Sequence, residues 1–377
     1  MRIAHVISSL PSVLDYERVA LLLRSVSDEY ETELYAPLDC SIFSMLKGSR
    51  VKLSPLKISG RHSFFPTDVI RLRAMFKRSR PHAVHTHTSI SARVAARICH
   101  VPFTVAERYG TGRRSDIGGF YSALYNKFTS LTISHAESVT RRLNLEGVPL
   151  DRVFPVSCGV PAVPPFEKNE GKLPLVLADC SGEESLKLFL FAFKRLLTGV
   201  RARGALFCPS ALLSFARRQI SVLGLLDLCE AMPEESIAPE HFPEASVFVY
   251  SFSEFGRLPL SALSFAAARV PIIAAATHLN RDFFTEGESG LFFLPGDPFS
   301  LCDKLSRVLT DSALRKELSL GAYESWQTRH TPKNMLEDYV GIYSAIRRLL
   351  AEEENAGLLR KSYSLTRVAE RGRKSRN

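Results

Sequence analysis

Short apolar runs alternate with segments whose apolar residues recur every three or four places, and this rhythm starts at the first residues. Residues 2–8 (RIAHVIS) are an apolar run, and RVALLLRSV follows after a loop with helical spacing. Strand, loop, helix is the opening of a Rossmann-type unit. The alternation continues through TELYAPL and VKLSPLKI, the basic segment TDVIRLRAMFKRSR, AVHTHT with SISARVAARICH, PFTVAERYG with GFYSALYNKFTSL, and TISHA with ESVTRRLNLEG. Strands alternating with helices of this length predict a parallel sheet covered on both faces.

The stretch VFPVSCGVPAVPPFEKNEGKLP, with five prolines, interrupts the rhythm and marks a linker. Alternation resumes with LPLVLAD, ESLKLFLFAFKRLL, GALFCPS, SFARRQISVLG, SVFVYSF, PIIAAA and SGLFFLP, and long helical patterns close the chain. The pattern predicts an α/β protein with two Rossmann-like, doubly wound domains. Residues 1–163 form the N-terminal domain and 164–172 the Pro-rich linker. Residues 173–335 form the C-terminal domain, 336–355 a terminal helix and 356–377 a basic, disordered tail. Open sheets of this kind bind ligands beyond the carboxyl ends of their strands, so the two domains are expected to face a central cleft.

A length of 377 residues fits two domains, and 45% hydrophobic with 23% charged residues excludes a disordered or fibrous chain. The start breaks at Pro11 and Asp15, and no long apolar run lacks a charge, so neither a signal segment nor a membrane span is expected. Seven cysteines without a C-x-x-C pair point to reduced thiols, no zinc site and a cytoplasmic address. Of the net charge of +10, the last twenty residues hold +6, seven basic side chains against Glu370. That tail is either plainly solvated or able to touch anionic lipid. Arg71, Arg73, Lys77, Arg78 and Arg80 share a helical segment with Val69, Ile70, Leu72, Met75 and Phe76. The segment is either a surface helix with an ordinary core stripe or a peripheral contact with the inner face of a membrane. No motif supports nucleic-acid binding.

Several segments resemble the GT-B glycosyltransferases, in particular the large retaining, group-1 type family that uses nucleotide-sugar donors. The likeness is carried by RPHAVHTHTSISARVAARICHVPFTVAERYG, by SHAESVTRRLNLEGVPLDRVFPVSCGV, by PLSALSFAAARVPIIAA and by NMLEDYVGIYSAI. Its most specific piece is Glu286 to Leu301, where an acidic-Gly-x-x-Gly-Leu hairpin precedes a Pro-Gly-Asp turn. The resemblance implies the GT-B fold, with the terminal helix returning toward the first domain. It also implies transfer of a sugar to a saccharide or lipid-linked acceptor in cell-envelope or exopolysaccharide biosynthesis. The nucleotide sugar is then a substrate, and neither a cofactor nor a metal is expected.

Donor chemistry needs positive groups at the leaving diphosphate. The family supplies an arginine and a lysine five residues apart, and this sequence has Asp179 and Glu184 there. Carboxylates at those places repel a diphosphate, although Ser181, Glu183 and Glu184 also suit a helix N-cap and first turn. Two family glutamates eight apart, which hold ribose and sugar, correspond to Gly256 and Ser264, with Glu254 nearby. Ser264 and Arg257 can still donate hydrogen bonds to a phosphate. The paired glycines of the family's first loop are replaced at Leu14, Asp15 and Tyr16, and its Asn-Gly hinge turn is Cys158-Gly159. These departures carry an alternative: a catalytically inactive GT-B homologue that binds a saccharide or partners an active glycosyltransferase.

The acceptor side keeps more candidates. His85 and His87 lie two apart on a strand and so share a face. His87 and Glu107 are the catalytic candidates, orienting a hydroxyl and acting as its base, or else a strand-end histidine and an ion-pair partner. His85, Arg108, Arg113 and Ser134 are the substrate-binding candidates, the arginines forming an anion-binding or simply a solvated loop with Arg114. Ser134 and His135 close a strand and could equally cap the next helix.

Overall fold

The structure is a computed structural model that describes residues 1–58, 64–87, 89–111, 127–164, 173–237, 241–251 and 257–355. The chain forms two compact units, Met1–Cys158 with the segment from Pro332 onward, and Gly159–Thr331. Most of the expected linker and the whole expected tail lie outside the described residues.

The first unit holds seven parallel strands: β1 (Arg2–Val6), β2 (Glu31–Ala36), β3 (Lys52–Pro55), β4 (Ala83–Thr86), β5 (Phe103–Arg108), β6 (Leu131–Ser134) and β7 (Val153–Pro155). Their order, β3-β2-β1-β4-β5-β6-β7, reverses direction between β1 and β4. That reversal is the switch point where doubly wound sheets open a crevice. The central strands β4 and β5 are buried along their whole length, as helices on both faces require. On one face Ala4, Val6 and Val84 meet Leu72 and Phe76 of the helix Pro66–Ser79 and the alanines of the helix Ile90–Ile98. On the other, Ile3, Ala83, Phe103, Val105 and Leu131 lie under Met335, Tyr339, Ile342, Tyr343 and Ile346. Those five recur at helical spacing along the terminal helix Pro332–Asn355. The basic segment is likewise a core helix: Val69, Leu72 and Phe76 are buried, whereas Ile70, Arg73, Lys77 and Arg78 face outward.

The second unit repeats the plan with β8 (Leu175–Asp179), β9 (Arg203–Cys208), β10 (Cys229–Pro233), β11 (Ala245–Tyr250), β12 (Ile272–Ala275) and β13 (Leu291–Phe293), again all parallel. The order β10-β9-β8-β11-β12-β13 reverses between β8 and β11. Phe189, Leu190 and Phe193 of the helix Glu183–Leu196 fill its core. Gly204 on β9 makes room for one of them, since a Cβ there would stand 2.9 Å from the Phe193 ring.

The structure corrects three local readings. Val153–Pro155, in the proline-rich stretch that interrupts the alternation and inside the first domain's expected bounds, is the edge strand β7. Leu14, Asp15 and Tyr16 are not a loop but the first turn of the helix Val13–Val26, whose N-cap Ser12 accepts from the Asp15 N–H at 3.2 Å. β10 has no counterpart in the sequence pattern, because its five residues mix apolar with charged and Pro positions. The acidic-Gly-x-x-Gly-Leu segment has a structural use. Glu286 accepts from the Phe292 N–H at 2.6 Å, and Gly287 takes a φ of +78°, closing the hairpin that leads into β13. Among the described residues no helix is long and apolar enough to cross a membrane.

Candidate functional site

The carboxyl ends of β1, β4 and β5, beside the switch point of the first sheet, carry a row of polar side chains. β1 and β4 are aligned with His5 opposite His85, and β4 and β5 with His85 opposite Val105. Because strand residues two apart share a face, His87 and Glu107 follow His85 and Val105 on that side. Tyr109 and His135 continue just past β5 and β6. Arg18 descends on this layer from the helix Val13–Val26, and Tyr339 and Tyr343, four apart, from the terminal helix. All nine side chains are buried.

Glu107 is the hub. Its Oε2 lies 2.5 Å from His87 Nδ1 and accepts from the Tyr109 hydroxyl. Its Oε1 accepts from the Tyr339 hydroxyl and from Arg18 Nη1 at 3.4 Å, and lies 3.3 Å from His135 Nε2. Burial by itself pushes the carboxyl up, but Arg18 and then His87 outweigh it and hold Glu107 well below the usual carboxylate range. Burial works against the Arg18 guanidinium too, and the charge of Glu107 more than restores it. Tyr109 and Tyr339, raised first by burial and then by the carboxylate beside them, stay phenols. The result is one ionised pair inside a shell of hydrogen-bond donors, which is the condition for holding charges away from water.

The network extends toward β1. His87 Nε2 lies 3.1 Å from His5 Nδ1, and His85 Nδ1 lies 2.6 Å from the Tyr343 hydroxyl. Burial lowers His5 and His85 well below the ordinary histidine value, and the neighbouring imidazoles add to it, so both rings are neutral. The Nε2 atoms of His5 and His85 have no partner among the described residues.

The remaining first-unit candidates fall elsewhere. Arg108 points away from the hub, its Nη2 3.2 Å from Glu146, which also takes Arg142 at 2.9 Å. The Ser134 hydroxyl donates to the Ala136 carbonyl at 2.8 Å and accepts from Thr140 at 2.9 Å, tying the end of β6 to the helix Glu137–Leu145. Arg113 and Arg114 lie outside the described residues. Sequence reasoning brought His85, His87 and Glu107 together but missed His5, Arg18, Tyr339 and Tyr343. Only the strand register and the return of the last helix place those four.

In the second unit Asp179 ends β8, buried, with Oδ2 accepting from Ser261 at 2.6 Å and Oδ1 without a partner among the described residues. Burial pushes this carboxyl up to about 6. Glu184 is exposed in the first turn of the helix Glu183–Leu196. The N-cap of that helix is Gly182 rather than Ser181, and its N–H donates to the Ser185 hydroxyl at 3.1 Å. Ser264 is turned back on its own helix, donating to the Leu260 carbonyl at 3.0 Å. Arg257 pairs with Glu234 at 2.8 Å. It stands just before the helix Leu260–Ala267, which begins with no side-chain cap and no acid in its first turn. Such a helix start offers its N–H groups and positive end to an anion. Glu254 and Gly256 lie outside the described residues.

Two parallel units of Rossmann order, with the chain returning to the first unit at its end, define the GT-B fold, as the sequence led one to expect. No family model matches the chain, and no curated protein matches it in sequence. Among solved structures, a glycosyltransferase from Rickettsia africae is similar with a TM-score of 0.76 at 12% identity, over 92% of this chain and 98% of that one. HepE of Anabaena in complex with UDP and glucose gives 0.75 at 12% identity, over 91% and 99%. A candidate UDP-N-acetylglucosamine 2-epimerase from Listeria monocytogenes gives 0.67 at 12% identity, over 93% and 97%. At such identities the likeness is one of fold, which hosts more than one chemistry.

Proposed function

We propose that this chain binds a nucleoside diphosphate sugar and transfers the sugar to a saccharide or lipid-linked acceptor in cell-envelope or exopolysaccharide assembly. The observation that carries this reading is the uncapped start of the helix Leu260–Ala267 beside Arg257, on the carboxyl side of β11 where the second sheet reverses. Charge develops on the leaving diphosphate, and a helix N-terminus with a guanidinium next to it meets that charge without the family's arginine and lysine. The UDP and UDP-glucose held by the similar HepE support the choice of ligand class. Within this reading His87 and Glu107 act as a buried hub that fixes the carboxyl ends of β4 and β5 for an acceptor. The outward face of the helix Pro66–Ser79, with Ile70, Arg73 and Lys77, suits an acceptor presented at an anionic membrane.

Calorimetric titration with UDP-, GDP- and ADP-sugars tests the reading. One class binds, and Arg257→Ala weakens it at least tenfold; no binding of any class at millimolar concentration overturns it. A second reading, an inactive GT-B homologue that holds a saccharide or an active transferase, rests on Asp179, a buried acid where the family's arginine is expected. Binding of a nucleotide sugar with no transfer or hydrolysis over hours favours this second reading.

A further inference from the structure

We propose that His5, His85 and His87 form a binding site for a divalent transition-metal ion, with Zn²⁺ the natural occupant. One nitrogen from each of the three rings lies within 4.8 Å of the others. The triangle is built by backbone register: His85 and His87 stand two apart at the end of β4, and His5 is the partner of His85 on β1. Tetrahedral zinc, with bonds of about 2.0–2.1 Å, sets its ligand nitrogens roughly 3.3 Å apart. His5 Nδ1 and His87 Nε2 are already 3.1 Å apart. The rings of His85 and His87 stack with centroids 4.3 Å apart, and ligation by all three requires the His85 ring to turn toward the other two nitrogens, which lie within 4.8 Å of its own.

Two of the three rings have the outer shell of a metal site, in which a ligating imidazole is oriented through its second nitrogen. Glu107 holds His87 at Nδ1 and Tyr343 holds His85 at Nδ1, which turns the Nε2 atom of each to ligation. Glu107 also sets a negative charge one ring away from the ion. Unpartnered nitrogens at this depth cost stability. His5 Nε2 and His85 Nε2 are two such atoms among the described residues, and a metal gives His85 Nε2 the bond it lacks. An all-imidazole donor set selects Zn²⁺, Co²⁺, Ni²⁺ or Cu²⁺ over Mg²⁺ and Ca²⁺, which seek oxygen. Three protein ligands leave one coordination position for a small molecule. The site is independent of the nucleotide-sugar reading and survives its failure.

The full chain, freed of metal with a chelator, is titrated with Co²⁺. One Co²⁺ per chain is expected, with the strong visible bands of a four-coordinate ion, displaced by one equivalent of Zn²⁺ and not by Mg²⁺. X-ray absorption of the zinc form is expected to show three imidazole nitrogens at about 2.0 Å. His5→Gln and His85→Gln each weaken Co²⁺ at least tenfold with an unchanged far-ultraviolet spectrum, and the exposed His278→Gln does not. The pale spectrum of six-coordinate Co²⁺, fewer than three imidazoles around zinc, or an equal loss in His278→Gln overturns the proposal. Should the buried variants fail to fold, the spectrum and X-ray absorption of the unaltered chain decide it.

Discussion

The Arg18 guanidinium and the Glu107 carboxylate meet 3.4 Å apart inside the first unit, with side-chain exposures of only 3% and 0%. One comes from the helix Val13–Val26 and the other from β5, so the pair joins the sheet to the layer above it. Taking two charges out of water is costly, and their geometry and extra hydrogen bonds have to offset that cost.

Removing one partner therefore strands the other. Glu107→Gln and Arg18→Met are each expected to destabilise the first unit by about 3–5 kcal/mol, read from urea unfolding. The double variant is expected to lose less than the two single losses combined, by at least about 1 kcal/mol. Additive losses would mean that the two charges do not act as a pair.

Asp179 gives the second unit an unusual pH response. Its folded carboxyl titrates at about 6 against an ordinary 3.8, because burial disfavours its charge. Such a group contributes stability that is fully present below pH 3.8 and is lost as pH rises through 6. Asp179→Asn, locked in the neutral form, is expected to unfold at higher urea than the unaltered chain at pH 7–8 and at the same urea near pH 4. A constant gap across that range would contradict the titration.

His330 acts in the opposite sense. Burial and then Arg329 lower it to about 3 from 6.5, so the unfolded chain binds the proton first, and stability falls as pH drops from 6.5 toward 3. Its ring lies tilted against Phe283 with centroids 5.1 Å apart. His330→Phe is expected to gain stability relative to the unaltered chain as pH falls from 6 to 4, whereas Asp179→Asn loses its advantage over the same range, so the gaps in urea midpoint between each variant and the unaltered chain change in opposite directions.

Two helical glycines separate packing from propensity. A Cβ on Gly321 would stand 2.1 Å from the Glu288 carbonyl oxygen, so Gly321→Ala is expected to cost about 1–3 kcal/mol despite the better helix former. Around a Cβ on Gly341 nothing lies within 4 Å, and Gly341→Ala is expected to stabilise by about 0.5–1 kcal/mol. Thermal unfolding of the two variants side by side checks the contrast.

The α/β alternation was legible because most of the buried strands described are apolar runs and the long helices keep an apolar stripe. β7 and β10 escaped it: three residues next to prolines, and five with a charge among them, carry too little periodicity. The pairing of His87 with Glu107 was half legible, since both end strands that face one layer. His5 was hidden inside RIAHVIS, where a single polar residue reads as an interruption of an apolar strand. Its chemistry appears only once β1 is placed in register with β4, a long-range fact that local pattern does not encode. Tyr339 and Tyr343 read as ordinary core positions of a helix for the same reason. At the other sheet, the acids Asp179 and Glu184 were seen, but their different fates, one sunk against Ser261 and one in water, depend on burial.

The closing helix also sets the order in which this protein can be made. The strands of the first sheet leave the ribosome early, yet the phenols that roof its ionic centre arrive more than two hundred residues later, after the entire second unit. Until Pro332–Asn355 emerges, the nascent amino-terminal half exposes the greasy sheet face that Met335, Tyr339 and Ile346 cover, the kind of surface that chaperones hold. Maturation of the first half thus waits until the second unit has been made.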